Sequence, residues 1–337
     1  MPAEWEPHRS TWLTWPKNHA TWPGKLLKEV ESIYLRMILE LLSYERVDLL
    51  VDDQKTAGNV LEVFRKKRVT SRNLFFHNIK TVDAWIRDYG PIFVKNKRGK
   101  VAFTKWTFNA WGGKYNDIAG DNGAVDKIEI LKPMKRFDPG IILEGGSIDM
   151  NGRGTCLTTE QCLLNPNRNK KLSRKEIESY FKKYLGVNHV IWLKEGIEGD
   201  DTDGHVDDIT RFVGPRTILT ATENDPLDEN YTRLKENLEI LKQASDEKDR
   251  RLDLVELPMP GKIVSRGGES RRLPASYANF YIANRVVLVP VYGRRNDQLA
   301  LKIIQGLFPS RKIVAIESTA LLHGLGSIHC VTQQEPL

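Results

Sequence analysis

Four times along the 337-residue chain, a stretch with helical apolar spacing runs into a short β-branched segment. The pairs are 26–44 with 47–51, 173–185 with 190–193, 228–242 with 252–255, and 296–308 with 313–316. In the first, Leu27, Val30, Ile33, Leu35, Ile38 and Leu41 recur at the spacing of one helix face. Ser173 followed by Glu176 predicts a capping box at the start of the second helix. Four hairpin patterns lie between these pairs, at 88–104, 144–158, 205–221 and 277–291. Turn clusters mark them, the strongest being Asn151-Gly152-Arg153-Gly154. A fifth unit is assembled from the two chain ends, 327–333 and 9–15. The units recur about every 50–70 residues, the range of propellers and arrays. The expected fold is α/β: a ring of five ββαβ units forming one domain over 1–337, with the hairpin starts pointing at a common centre. A doubly wound sheet is the competing fold, but so many hairpins would be unusual between parallel strands.

Apolar residues make up 40% of the chain and charged residues 28%, a globular balance. No apolar run reaches the ~20 residues that cross a bilayer. The opening residues carry early acids and no apolar core of the secretory type, so a cytoplasmic protein is expected. Cys156, Cys162 and Cys330 are odd in number and match no zinc spacing, which argues for free thiols in a reducing compartment. The net charge of +7 raises nucleic acid as a partner. The basic residues are scattered, however, and no nucleic-acid motif accompanies them, so solvated lysines on helix faces explain the balance better.

Under the ring reading, the hairpin starts bring Asp88, Glu144, His205 with Asp207, and Cys330 to one place. Cys330 follows a small-residue approach, Gly324 to Ser327, that lets a ligand near the backbone. Cys156 and Cys162 read as core thiols away from the centre. His205 sits in an acidic stretch with no Lys or Arg from Glu195 to Asp208, a natural site for a cation in a basic protein. A strand through His205 and Asp207 would put both on one face. Two rivals share this cluster. A divalent ion on His205, Asp88, Glu144 and Asp207 lacks a compact ligand motif. A Cys-His protease would not need the additional carboxylates.

Trp85-Ile86-Arg87-Asp88-Tyr89-Gly90-Pro91, Asn109-Ala110-Trp111-Gly112-Gly113-Lys114-Tyr115 and Leu143-Glu144-Gly145-Gly146-Ser147 stand in order along the chain. They are followed by Asn165-Pro166-Asn167-Arg168-Asn169, Gly199 through Asp207, Tyr277-Ala278-Asn279-Phe280-Tyr281 and Ile328-His329-Cys330-Val331-Thr332-Gln333-Gln334. In these motifs, and in its opening, the sequence resembles the agmatine deiminases among the guanidino-group-modifying enzymes. The resemblance implies a five-bladed α/β propeller (the pentein fold) with pseudo-fivefold symmetry. It also implies hydrolysis of agmatine to N-carbamoylputrescine and ammonia in polyamine metabolism, with no cofactor. Cys330 would be the nucleophile, His205 the general acid/base, Asp88 and Asp207 the guanidinium clamps, and Glu144 a group orienting His205. Segments 116–125 and 324–327 depart from the family pattern and bear on the pocket wall. Trp85 is placed to cover an aliphatic stem and Asp201 to receive a distal ammonium. Arg87 is the one candidate partner for an α-carboxylate, and a structural role fits it equally well. Agmatine therefore ranks first, peptidyl or free arginine second, and a non-catalytic basic binding module third. No nucleic-acid or membrane partner is expected, and self-association is left open.

Overall fold

The computed structural model of the chain describes residues 1–68, 72–265 and 270–337. Its strands form five sheets of mixed α/β character, one of four strands and four of three. Each three-stranded sheet is built in the same order. In one, Thr210–Phe212 pairs antiparallel with Thr217–Thr222, helix Tyr231–Gln243 crosses over, and Asp253–Pro258 adds parallel to the second strand. The helix is needed because adding a parallel strand means returning the chain to the other end of the sheet. Three of the four crossover helices expected from the sequence lie in such sheets, and the Ser173–Glu176 capping box is present. The sheet holding Ile92–Lys95 and Val101–Thr104 differs. Its crossover runs mainly through short 3₁₀ turns between residues 118 and 131 before Lys135–Phe137.

The chain ends meet as expected. His8–Thr14 lies between Gln333–Pro336, antiparallel, and Arg46–Val51, parallel. Helix Gln54–Lys66 and strand Leu74–Asn78, which extend this sheet, were not anticipated. Helix Leu26–Leu41 buries Leu27, Val30, Ile33, Tyr34, Met37, Ile38 and Leu41 along one face. Val286–Val291 is buried almost throughout, as a strand covered on both sides must be. No helix among the described residues is long and apolar enough to cross a membrane.

The hairpin starts are not strands. They are single helical turns: Ile86–Tyr89, Gly145–Ser147, Val206–Asp208 and His329–Val331. This corrects the expectation that His205 and Asp207 alternate along a strand, since the first strand residue is Thr210. A strand sends neighbouring side chains to opposite faces. A 3₁₀ turn rotates them by about 120° instead, so Asp207 and Asp208, adjacent in sequence, can both approach Cys330.

Candidate active site

Gly146 marks the point of convergence. A Cβ built on it would lie 2.5 Å from His205 Nδ1, 3.0 Å from Asp88 Oδ1 and 3.1 Å from Asp207 Oδ2. Side chains from two units therefore close over the backbone of a third, and only glycine leaves them room. Gly146 also donates its backbone N–H to Asp88 Oδ1 at 3.0 Å. Its neighbour Gly145 is equally confined, since a Cβ there would meet the Arg87 carbonyl at 2.2 Å. The paired glycines after Glu144 are thus a requirement of close approach.

Cys330 sits on the His329–Val331 turn and is 8% exposed. Its sulfur lies within 4.8 Å of ligand atoms of Asp207 and Asp208. Burial pushes the thiol well above its ordinary range, and the charges of Asp207, Asp208 and Asp88 push it further. His205 is also buried, which alone would lower its pKa. Asp88, whose Oδ1 is 3.8 Å from His205 Nδ1, outweighs this together with Cys162 and Asp207, so the imidazole is held charged. Burial raises Asp88, partly against the charge of His205.

A further set of contacts supports these groups from behind. Asp207 Oδ2 binds His329 Nδ1 at 2.6 Å, and His329 Nε2 binds Glu4 Oε2 at 2.7 Å. Burial works to raise Asp207, but the His329 contact outweighs it and holds the carboxyl below its usual range. Glu144 Oε1 accepts from Arg168 Nε at 2.6 Å, and Arg168 is tied in turn to Asp203 and the Thr202 carbonyl. Three buried atoms at the centre have no hydrogen-bond partner among the described residues: Glu144 Oε2, His205 Nε2 and Asp207 Oδ1. Buried polar atoms are rarely left so; the two carboxylate oxygens suit a ligand with N–H donors, while the charged imidazole presents an N–H of its own.

A cavity of ≈ 200 Å³ opens above the centre. Of the residues anticipated from sequence, Trp85, Asp88, Asp201 and Cys330 line it, whereas Glu144, His205 and Asp207 are not among its lining. Trp85 packs edge-to-face with Trp111 at 6.4 Å and against the Gly326 backbone, where a Cβ would come within 2.4 Å of its ring. Asp201 accepts a hydrogen bond from Tyr115, and burial raises its pKa despite that bond. The departing segments do form pocket wall, contributing Asp117, Ile118, Gly324, Leu325 and Gly326.

Sequence reasoning missed Trp111 as a site residue, although its Nε1 donates to Asp88 Oδ2 at 2.8 Å. Its signal lay in the backbone: Ala110 and Trp111 both adopt φ of 53°, which L-residues avoid and functional sites tolerate. Glu4, Asp208, Asn279 and His329 were also missed. Arg87 is 2% exposed and bound to Gln334 and Glu4, so it does not face a substrate.

The placing of Cys162 is corrected. It lies beside the centre, with its sulfur within 4.8 Å of Glu144 and His205 ligand atoms. These are donor types that a divalent cation takes, yet the Arg168 guanidinium and the charged His205 oppose a second cation there. The thiol is better placed to pack the imidazole. Cys162→Ala is therefore expected to lower kcat by about ten- to a hundredfold through misplacement of His205. Cys156→Ala should leave kcat unchanged, since that thiol is fully buried and donates to the Leu157 carbonyl at 3.3 Å. Steady-state rates of the two variants check this, and equal rates would remove Cys162 from the site.

The sequence profile of Porphyromonas-type peptidyl-arginine deiminases matches residues 1–336. The agmatine deiminase of Ectopseudomonas mendocina is 37% identical over 356 residues, covering 100% of this chain and 95% of that protein. Among solved structures, the agmatine deiminase of Enterococcus faecalis superposes with a TM-score of 0.89 at 33% identity, covering 100% of this chain and 95% of that one. A C. jejuni agmatine deiminase with a Cys-to-Ser substitution, solved with substrate bound, superposes at 0.86 and 33% identity, covering 99% and 95%.

Proposed function

Since the chain belongs to the Porphyromonas-type peptidyl-arginine deiminase family, we propose that it hydrolyses the guanidinium of agmatine to N-carbamoylputrescine and ammonia. One observation carries the choice of substrate. The ≈ 200 Å³ cavity has Asp117 and Asp201 in its wall and no Lys or Arg among its described lining residues. An ammonium tail finds carboxylates there, while the α-carboxylate of arginine meets no Lys or Arg among the described lining residues. The small volume also disfavours an arginine held in a peptide, whose backbone must stay outside. We read the five sheets as blades of one pseudo-fivefold propeller domain. Three free thiols and a polyamine precursor as substrate suit the cytoplasm.

In this reading Asp88 and Asp207 grip the guanidinium through paired N–H···O bonds. The arriving cation offsets the carboxylates that hold the Cys330 thiol protonated, so the thiol gives its proton to solvent and the thiolate forms as the substrate seats. It attacks the guanidinium carbon. The charged His205 gives its proton to the departing nitrogen, ammonia leaves, and an S-alkylthiouronium remains. Now neutral, His205 takes a proton from water, which adds to the same carbon and releases the sulfur. Glu144, with one oxygen on Arg168 and the other without a partner, is suited to orienting the imidazole.

Ammonia release measured on agmatine, free arginine and a blocked arginine peptide tests the assignment, and a preference for either arginine substrate would overturn it. Asp201→Asn should raise KM for agmatine about tenfold and narrow its kcat/KM advantage over arginine. An unchanged ratio would mean that Asp201 does not read the tail.

A further inference from the structure

The basic residues are scattered along the sequence, but the fold gathers several of them into one groove. The hairpin turn at 96–99 carries Lys97, with Lys100 just after it. The turn at 151–154 carries Arg153 between Gly152 and Gly154, both at positive φ. Lys135 comes from strand Lys135–Phe137 and Lys183 from the last turn of helix Arg174–Leu185. These side chains line a cavity of ≈ 790 Å³ that shares no lining residue with the one above Cys330. It lies at the turn ends of two hairpins, whereas Asp88 and Glu144 stand at their starts. No Asp or Glu is among its described lining residues, and none of these cations has a carboxylate partner among the described residues. Lys95 also lines it, but donates to the Leu337 carbonyl at 2.7 Å. Nearby cations outside the lining are paired: Lys132 with Glu129, Arg136 with Asp126 and Asp138, Arg174 with Glu160. Strand alternation makes the division at Arg136, which turns to its carboxylates while Lys135 and Phe137 line the groove.

We propose that this groove is a second binding site, for a nucleoside polyphosphate, with the phosphates held by the turn cations and the base laid on the apolar floor. A cleft lined by charges of one sign concentrates the field and draws a multiply charged anion. Lysine holds phosphate as a point charge, and an arginine fork can bind two of its oxygens at once. The floor offers a flat apolar group somewhere to lie, since Met150 and Val187 are buried and Phe137 and Tyr184 half-buried. Charge and aromatic surface adjoin there. Lys135 Nζ lies 4.8 Å from the Phe137 ring centroid, and Lys183 Nζ 5.1 Å from that of Tyr184. The volume falls in the range of about 300–1,000 Å³ typical of small-ligand sites. A second copy of the chain is a poor occupant, because two such faces would repel each other.

The test is calorimetric titration of the full chain with ATP, inorganic tripolyphosphate and adenosine, each without added metal. ATP should bind one-to-one and about tenfold more tightly than either fragment, because only ATP uses both the cations and the floor. Absence of ATP binding at about 1 mM overturns the proposal. Tripolyphosphate binding as tightly as ATP overturns it too, since the floor would then contribute nothing. Location is tested by two substitutions that change the charge equally. Arg153→Glu should weaken ATP binding about tenfold or more, while Lys132→Glu, outside the groove, should change it by no more than about twofold. Equal losses in the two variants would mean diffuse attraction to a basic protein and no site. Should Arg153→Glu fail to fold by circular dichroism, Lys183→Glu takes its place with the same expectation. A single-stranded oligonucleotide of about ten residues that binds more tightly than ATP, and loses as much with Arg153→Glu, would overturn the small-ligand assignment in favour of a nucleic-acid groove. None of these measurements requires turnover, so they stand apart from the proposed hydrolysis of agmatine.

Discussion

Cys330→Ala is expected to reduce agmatine turnover by about 10⁴–10⁶-fold, the scale on which loss of a covalent nucleophile is felt. The change deletes one sulfur from the floor of the cavity. It leaves the His329–Val331 turn intact, along with the backbone N–H of His329 that binds Asn279. The variant should therefore fold, with a melting temperature near that of wild type, and should still bind agmatine because Asp88 and Asp207 are untouched. Calorimetric binding with lost turnover is the expected pair of results. Turnover within about tenfold of wild type would rule out a covalent route through this residue.

Asp207→Asn should lower kcat/KM by about 10²–10⁴-fold, because it removes one of the two charges proposed to grip the guanidinium. A second, opposite effect follows from the same geometry. After burial, the Asp207 carboxylate is the largest influence raising the Cys330 thiol. Neutralising it should bring the thiol pKa down, so iodoacetamide alkylation of Cys330 at pH 8 should become faster while catalysis is crippled. A damaged fold would not produce that combination with a cooperative melt. Slower alkylation in Asp207→Asn would mean that the carboxylates do not govern the thiol, and substrate-driven thiolate formation would fall with it. The sign is clear because only one Asp207 oxygen is committed, to His329, while the other has no partner.

How much of the site was legible depended on where each residue stands. Asp88, Glu144, His205, Asp207 and Cys330 could be picked out because each opens a repeating unit beside glycines or further acids. Their neighbourhood in space followed from the repeat order and from the closing of the chain ends, not from any short motif. Trp111 and Asn279 could not be picked out in the same way. An indole and a carboxamide are common interior side chains, and their roles appear only through the atoms they donate to, Asp88 Oδ2 and Cys330 Sγ. Cys162 was misjudged because an apolar flank reads the same whether the thiol packs against leucine or against imidazole. The 3₁₀ turns at the hairpin starts were missed because a three-residue turn has no periodicity to detect.

The sequence by itself determined the order of units, the meeting of the chain ends and the types of residue available for chemistry. These rest on local signals: apolar period, turn residues and caps. Tertiary structure alone decided which of those groups act on one another. The Asp207 carboxylate is held in its charged form by His329, 122 positions away, and His329 is held by Glu4, 325 positions away. Protonation of Cys330 and His205 depends on burial and on charges a few ångströms distant, and both are properties of folded geometry. The same holds for Gly146, whose place in the sequence says only that a turn is near. That three polar atoms of the candidate site come within 3.1 Å of its absent side chain is a fact of packing between units.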